Sequence, residues 1–316
     1  MRVIADNIIF ALQQYGGISV VWNEFLTRAR ADETVELVEL NYLQDRTPRF
    51  LERYRTPNYK AEVPAIFHSS YFRVLPQKGV CNVTTVHDLT YHYYRHGAAK
   101  AVHLWEEKRA LRHSEAILCI SENTKRDVLH FYPWLKEERI QVVYNGVGDE
   151  FYPMKSVKKK GYLLYVGNKT VDYKRYDVAQ EVSRLTGLEL VSVGSPDITR
   201  ADLNRYYNEA LCLLYPSDYE GFGLPVLEAQ KAGCPVIAQS ASSIPEVIGD
   251  QGLMVKHDTP LRMAQEMASI VRELISRPTQ TIIERGIENA NRFSWDKTYA
   301  QTKKVYENIY HNHNLQ

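Results

Sequence analysis

From end to end the chain alternates short apolar runs of strand length with longer stretches of helical periodicity, and no other feature constrains its fold more. Parallel strands need long crossovers, usually helices, so such a chain builds parallel sheets covered by helices. In the first half the pattern predicts strands near 1–5, 34–40, 64–68, 81–86, 116–120 and 140–143. Helices are expected over 17–30, 98–113 and 121–131, the last opened by Ser121 with Thr124 and stopped by Pro133. The second half repeats the scheme, with strands near 162–166, 188–193, 211–215, 235–238 and 252–255. Its helices are expected near 174–186, 201–209, 225–232 and 261–276, and the tail 294–310 has apolar positions at helical spacing behind Ser294.

The two halves meet at a polar stretch, Gly148 to Gly161, which holds Pro153 and Lys158-Lys159-Lys160 and reads as a surface linker. A length of 316 residues suits two domains of about 150 residues each. The expected division is 1–150 and 151–294, with 295–316 returning to the first domain.

Composition removes several function classes. Lys and Arg number 39 against 38 Asp and Glu, so the basic excess of a dedicated nucleic-acid binder is missing. No apolar run reaches the roughly 18 residues of a membrane-spanning helix. The N-terminus meets Asp6 too early for a secretory leader, so a cytoplasmic protein is expected. Cys81, Cys119, Cys212 and Cys234 lie far apart, which fits reduced core thiols better than a zinc site or disulfide framework. The 22 tyrosines are the one compositional outlier and suit a surface that meets sugars or an interface.

The segment Tyr215 to Pro235 carries most of the functional information. A strand ends at Tyr215, a loop with Gly221 and Gly223 follows, and Pro225 stands where an early helical position favours it. Gly233 and Pro235 then close the helix. Backbone N–H groups at such a helix N-terminus form a ready anion site. Glu228 falls one turn inside the helix, where a carboxylate reaches ribose hydroxyls, and Glu220 precedes the loop. A strand–helix turn with two solvated glutamates would share some of this pattern. Two carboxylates around Gly-Phe-Gly-Leu-Pro are nevertheless far narrower than a lone Gly-x-Gly.

This segment resembles the signature of retaining glycosyltransferases of family 4. Other pieces follow in that family's order: Tyr15-Gly16-Gly17-Ile18, Val86-His87-Asp88-Leu89, Ile120-Ser121-Glu122-Asn123-Thr124 and Val143-Tyr144-Asn145-Gly146-Val147. Tyr165-Val166-Gly167-Asn168, Tyr173-Lys174 and Ser243-Ile244-Pro245-Glu246 complete the set. The resemblance spans nearly the whole chain. It implies an α/β protein of GT-B fold, two Rossmann-like domains with parallel sheets facing a central cleft, and a C-terminal helix crossing back to the first domain.

The resemblance also implies roles. Glu228 holds the donor ribose; Glu220, Gly221, Phe222, Gly223 and Leu224 hold the transferred sugar and distal phosphate. Lys174 matches the family's phosphate lysine, and Asn168 stands where an arginine is common, with Lys169 or Arg175 as a substitute charge. Gly16 and Gly17 approach the phosphates, His87 stands beside the transferred sugar, and Asp88 and Tyr91 meet the acceptor. His68 is read as structural, and Ser243 with Glu246 as a capping box. No Asp-x-Asp occurs, so a metal-independent retaining reaction is implied: no cofactor, and a UDP- or GDP-linked sugar as co-substrate. Between Val193-Gly194-Ser195-Pro196 and Tyr215 a strand–helix unit usual in the family is missing, which shrinks the base pocket.

The implied activity is transfer of a mannose- or glucose-type hexose to a saccharide or lipid-linked saccharide in surface-polysaccharide assembly. A nicotinamide-dependent oxidoreductase is the competing enzyme class, but the residues after the first strand lack Gly-x-Gly-x-x-Gly. A catalytically inactive sugar-nucleotide-binding protein is the third reading. The segment 46–60, with Arg46, Arg49, Phe50, Arg53, Tyr54, Arg55, Tyr59 and Lys60, mixes cations and aromatics, as does 91–112. Such surfaces suit peripheral contact with an anionic membrane and equally an ordinary solvated face.

Overall fold

The computed structural model describes residues 1–14, 16–42, 51–194, 198–249 and 252–312. Tyr15, Arg46, Arg49, Phe50, Ser195 and Pro196, named above, lie outside the described residues. Among these residues all strand pairing is parallel, and the strands gather into two sheets, one in each of two compact units. The first unit is Met1–Asn145 with Trp295–Gln316, and the second is Gly146–Ser294.

The first unit runs β1 (Arg2–Asp6), α1 (Ile9–Leu12), α2 (Gly17–Ala31), β2 (Glu36–Leu40), β3 (Ala65–Ser69) and β4 (Val80–Val86). It continues through α3 (Thr90–Tyr94), α4 (Gly97–His113), β5 (Ser114–Cys119), α5 (Glu122–Phe131) and β6 (Ile140–Val142). Its sheet order is β2-β1-β3-β4-β5-β6, with Val3 opposite Ile66 and Phe67 opposite Asn82. All of β3 is buried, as expected of a parallel strand covered on both faces. Ser121 caps α5 by accepting the Thr124 amide at 3.0 Å.

The second unit runs β7 (Leu163–Val166), α6 (Tyr176–Thr186), β8 (Leu190–Val193), α7 (Arg200–Glu209), β9 (Cys212–Tyr215) and α8 (Leu224–Lys231). Then come β10 (Val236–Gln239), α9 (Ile244–Ile248), β11 (Leu253–Val255), α10 (Pro260–Ser276) and α11 (Gln280–Ala290). Its order is β11-β10-β9-β7-β8, so β8 forms an edge and a single helix, α7, links it to β9. The chain leaves β7 for β8 on one side and resumes at β9 on the other. The carboxyl ends of β7 and β9 therefore flank a topological switch point, where open α/β sheets bind ligands.

Helix α12 (Trp295–Asn312) belongs to the first unit and packs on α2. Phe25 meets Tyr299 and Tyr306, and Lys303 pairs with Asp32 at 2.7 Å. The Tyr306 hydroxyl bonds His68 Nδ1, and His68 Nε2 meets Thr85 Oγ1 at 2.8 Å, so His68 is a core residue. All four cysteines are free and buried. No helix among the described residues is long and apolar enough to cross a membrane.

The stretch Gly148 to Gly161 runs along the surface, with Lys158, Lys159 and Lys160 exposed, and is anchored to the second unit at several points. Phe151 is fully buried against Tyr207, and the Tyr152 and Met154 amides donate to Asn204 and Asn208 of α7 at 3.1 and 2.6 Å. Composition does not reveal these anchors because the partners are polar side chains on a helix more than 50 residues away in sequence.

Candidate active site

The site grows from the loops after β7 and β9. Strand β9 is wholly buried, and the chain leaves it through Pro216 to Gly223 before α8 begins. Gly223 takes φ +104°, a backbone conformation that favours glycine, and a Cβ there would press on the end of the Ile244 side chain, 2.8 Å from its Cδ1. Pro225 follows in the first turn, where its missing N–H costs nothing. The N-terminal turn of α8, with its helix dipole, favours an anion.

Lys174 ends a short 3₁₀ turn after β7, and its ammonium donates to both Glu220 oxygens at 2.6 Å. Further bonds tie the two loops together. The Asp218 amide donates to the Tyr173 carbonyl at 2.8 Å, and Arg175 lies 3.6 Å from Asp218. Arg175, directly after Lys174, and Ser242 both adopt left-handed backbone, φ 53° and 49°. Such conformations in non-glycine residues cost about 1–3 kcal/mol and concentrate at functional sites. Ser242 has a visible use: its hydroxyl accepts the Glu220 amide at 2.8 Å.

Ser243 corrects an expectation. It makes no capping bond with its side chain, so Ser243 and Glu246 form no capping box. Its fully buried hydroxyl instead lies 2.9 and 3.0 Å from the Glu220 and Phe222 carbonyls and holds the glycine loop in shape. A hydroxyl in helix-start position reads identically in sequence whether it caps its own helix or braces a neighbouring loop.

Glu228, in the second turn of α8, is 6% exposed. Its Oε2 accepts the Tyr207 hydroxyl at 3.1 Å, and its Oε1 lies 3.8 Å from Arg200 Nη1. Burial pushes its carboxyl above the usual range, and Arg200 and Tyr207 oppose that rise. Tyr207, Arg200 and Ser242 escape a reading of sequence alone, which marks Ser243 only as a helix cap; a polar face on α7, Asn204, Tyr207 and Asn208, is the signal that could have pointed to Tyr207.

Asn168 is exposed and turned inward on its own loop, its Oδ1 accepting the Thr170 amide and hydroxyl at 2.9 and 2.8 Å. Lys169 lies over the Tyr176 ring at 5.5 Å. Phe222 is buried edge-on to Phe293.

The remaining expected residues belong to the first unit. Gly16 and Gly17 open α2. His87 follows β4, and burial pulls its imidazole down to about 4, with Asp88 opposing, so it is neutral at physiological pH. Asp88 Oδ1 accepts the Thr90 amide at 2.9 Å, and Tyr91 stacks on His103 at 3.7 Å.

Comparison with known proteins agrees with this architecture. Residues 25–151 match the family model Glycosyltransferase Family 4, and residues 152–273 match Glycosyl transferases group 1. The chain belongs to glycosyltransferase family 4 and has the GT-B fold. It is 37% identical over 106 residues to O-antigen chain mannosyltransferase B of Escherichia coli, a match covering 34% of this chain and 27% of that protein. The matched region thus spans about a quarter of that relative. Sucrose-phosphate synthase from Thermosynechococcus elongatus superposes with TM-score 0.75 at 14% identity, covering 99% of this chain and 100% of the other. HepE of Anabaena, solved with UDP and glucose, superposes with TM-score 0.67 at 14% identity over 98% of this chain and 100% of its own.

Proposed function

We propose that the chain is a retaining, metal-independent glycosyltransferase. It moves a mannose- or glucose-type hexose from a UDP- or GDP-linked donor to a saccharide or lipid-linked saccharide acceptor in surface-polysaccharide assembly, such as O-antigen, capsule or lipopolysaccharide. The observation that carries this reading is the Lys174–Glu220 pair at the switch point of the second unit, beside the N-terminus of α8.

The chemistry follows from charge. As the bond from the sugar C1 to the donor phosphate breaks, negative charge grows on the departing diphosphate. Lys174 and the first N–H groups of α8 stabilise that charge. Glu220, released from Lys174, accepts hydroxyls of the transferred sugar, and Glu228 accepts those of the ribose. The acceptor oxygen forms the new bond to C1 on the face the phosphate leaves, and its proton passes to the departing phosphate oxygen. His87 orients the transferred sugar, with Asp88 and Tyr91 on the acceptor side; Gly16 and Gly17 admit the phosphates.

The mannosyltransferase name of the Escherichia coli relative and the UDP and glucose in the HepE structure support this donor class. A lipid-linked acceptor at the inner face of the cell membrane is supported by exposed Val102, Trp105 and Tyr93 on α3 and α4. Arg109 lies over Trp105 at 5.7 Å, and such pairs suit an anionic lipid surface.

Thermal-shift screening with UDP, GDP, ADP and NAD in chelator tests the reading. UDP or GDP should raise Tm. A rise with NAD alone would favour the oxidoreductase class, and nucleotide binding without transfer of sugar would favour an inactive binding protein.

A further inference from the structure

Glu228 presents a physical problem. A carboxylate this deeply buried tends to hold its proton, yet two ribose hydroxyls are best accepted by an ionised one. A solution lies on α7. Arg200 is its first residue, fixed by a capping box in which Thr199 Oγ1 accepts the Asp202 amide at 3.1 Å. Its guanidinium lies over the Phe151 ring at 4.9 Å, and its Nε pairs with Glu150. From that seat Nη1 reaches to 3.8 Å from Glu228 Oε1, a distance at which charge acts without a direct hydrogen bond.

We propose that Arg200 is a positioning residue for the nucleotide: bridging Glu150 and Glu228, it keeps the Glu228 carboxylate ionised and leaves Oε1 open to a ribose hydroxyl. This rests on the reading of Glu228 as the ribose ligand. The short path from β8 to β9 through α7 alone places Arg200 beside α8. Among the described residues, the titratable groups acting on Glu228 are Arg200 and Tyr207 of α7 and Glu150 ahead of β7. Arg200 and Tyr207 favour its charged form, while burial and Glu150 oppose it. Removing Arg200 therefore leaves Glu228 protonated to higher pH, and removing the Glu150 charge shifts it the other way.

The test is calorimetric titration of UDP and GDP from pH 6 to 9. It uses wild type, Arg200→Ala, Arg200→Lys, Glu150→Gln, Glu228→Gln and the double variant Arg200→Ala/Glu228→Gln. Arg200→Ala should bind about tenfold more weakly near neutrality, the equivalent of one pH unit, and recover toward pH 9. Arg200→Lys should retain most of the affinity, and Glu150→Gln should move the pH dependence to lower pH. In the Glu228→Gln background, Arg200→Ala should cost nothing further. A pH-independent loss, or one that persists without the Glu228 charge, would overturn the proposal, because Arg200 would then touch the nucleotide itself. Unchanged affinity in Arg200→Ala at every pH would overturn it too. Should Arg200→Ala fail to fold, the Glu150→Gln shift decides: a profile identical to wild type rejects the bridge. Wild type that binds neither nucleotide at any pH would instead sink the ribose reading beneath it.

Discussion

Lys174 and Glu220 stand 46 residues apart in sequence, and the Lys174 ammonium donates to both Glu220 oxygens at 2.6 Å. Adjacency of β7 and β9 brings them together, since one follows each strand. The two side chains meet in a largely buried place, and in the proposed reaction a diphosphate arriving at α8 would compete for the lysine.

Lys174→Ala should lower kcat by about 10²–10³-fold while weakening nucleotide-sugar binding much less, because the charge it faces is greatest in the transition state. Steady-state kinetics beside calorimetry checks this. Equal kcat in wild type and variant would remove Lys174 from the reaction.

Glu220→Gln and Glu228→Gln should behave differently. Glu228→Gln should weaken UDP or GDP about ten- to a hundredfold, the worth of a lost charged hydrogen bond. Glu220→Gln should leave nucleoside diphosphate affinity nearly unchanged and cut kcat, because the transferred sugar is absent from UDP and GDP. Equal losses in the two variants would reject this division of labour.

Ser243→Ala removes the donor to two buried carbonyls, Glu220 and Phe222. The cost should be about 1–3 kcal/mol, seen as a lower Tm, together with weaker donor binding as the glycine loop loosens. A variant with unchanged Tm and affinity would show that the loop holds its shape without this hydroxyl.

Much of the architecture is legible in sequence because strands buried on both faces are apolar runs, as in Leu163–Val166 and Cys212–Tyr215, and helices fill the gaps between them. Glu220 and Glu228 are legible through a motif whose spacing is local, and Lys174 through a separate short piece, Tyr173-Lys174. What binds them together is not: Tyr207 meets Glu228 across 21 residues, and Ser243 meets Glu220 across 23. Such pairs depend on strand order, which periodicity does not encode. Helix α11 (Gln280–Ala290) goes unread although Ile282, Ile283, Ile287 and Ala290 stand at helical spacing, and ten of its eleven residues escape full burial.

Acid should destabilise the fold through its histidines. Burial pulls His68 to about 3 and His87 and His103 to about 4, against 6.5 unfolded. The unfolded chain therefore binds more protons between those values, and stability is full above pH 6.5 and falls as pH drops toward 4. Urea unfolding at pH 7, 6, 5 and 4.5 should show that fall, and His68→Gln should make it shallower. A pH-independent midpoint would contradict the burial of these imidazoles.

The most direct measurement follows nucleoside diphosphate release from GDP-mannose and UDP-glucose in EDTA, with a saccharide acceptor mixture, for wild type and Lys174→Ala. Wild type should release UDP or GDP with sugar appearing on acceptor in the anomeric configuration of the donor, and Lys174→Ala should be slower by about 10²–10³-fold. Release that requires Mg²⁺ or Mn²⁺, an inverted anomer, or equal rates in the two proteins would contradict a retaining, metal-independent transfer at the Lys174–Glu220 site.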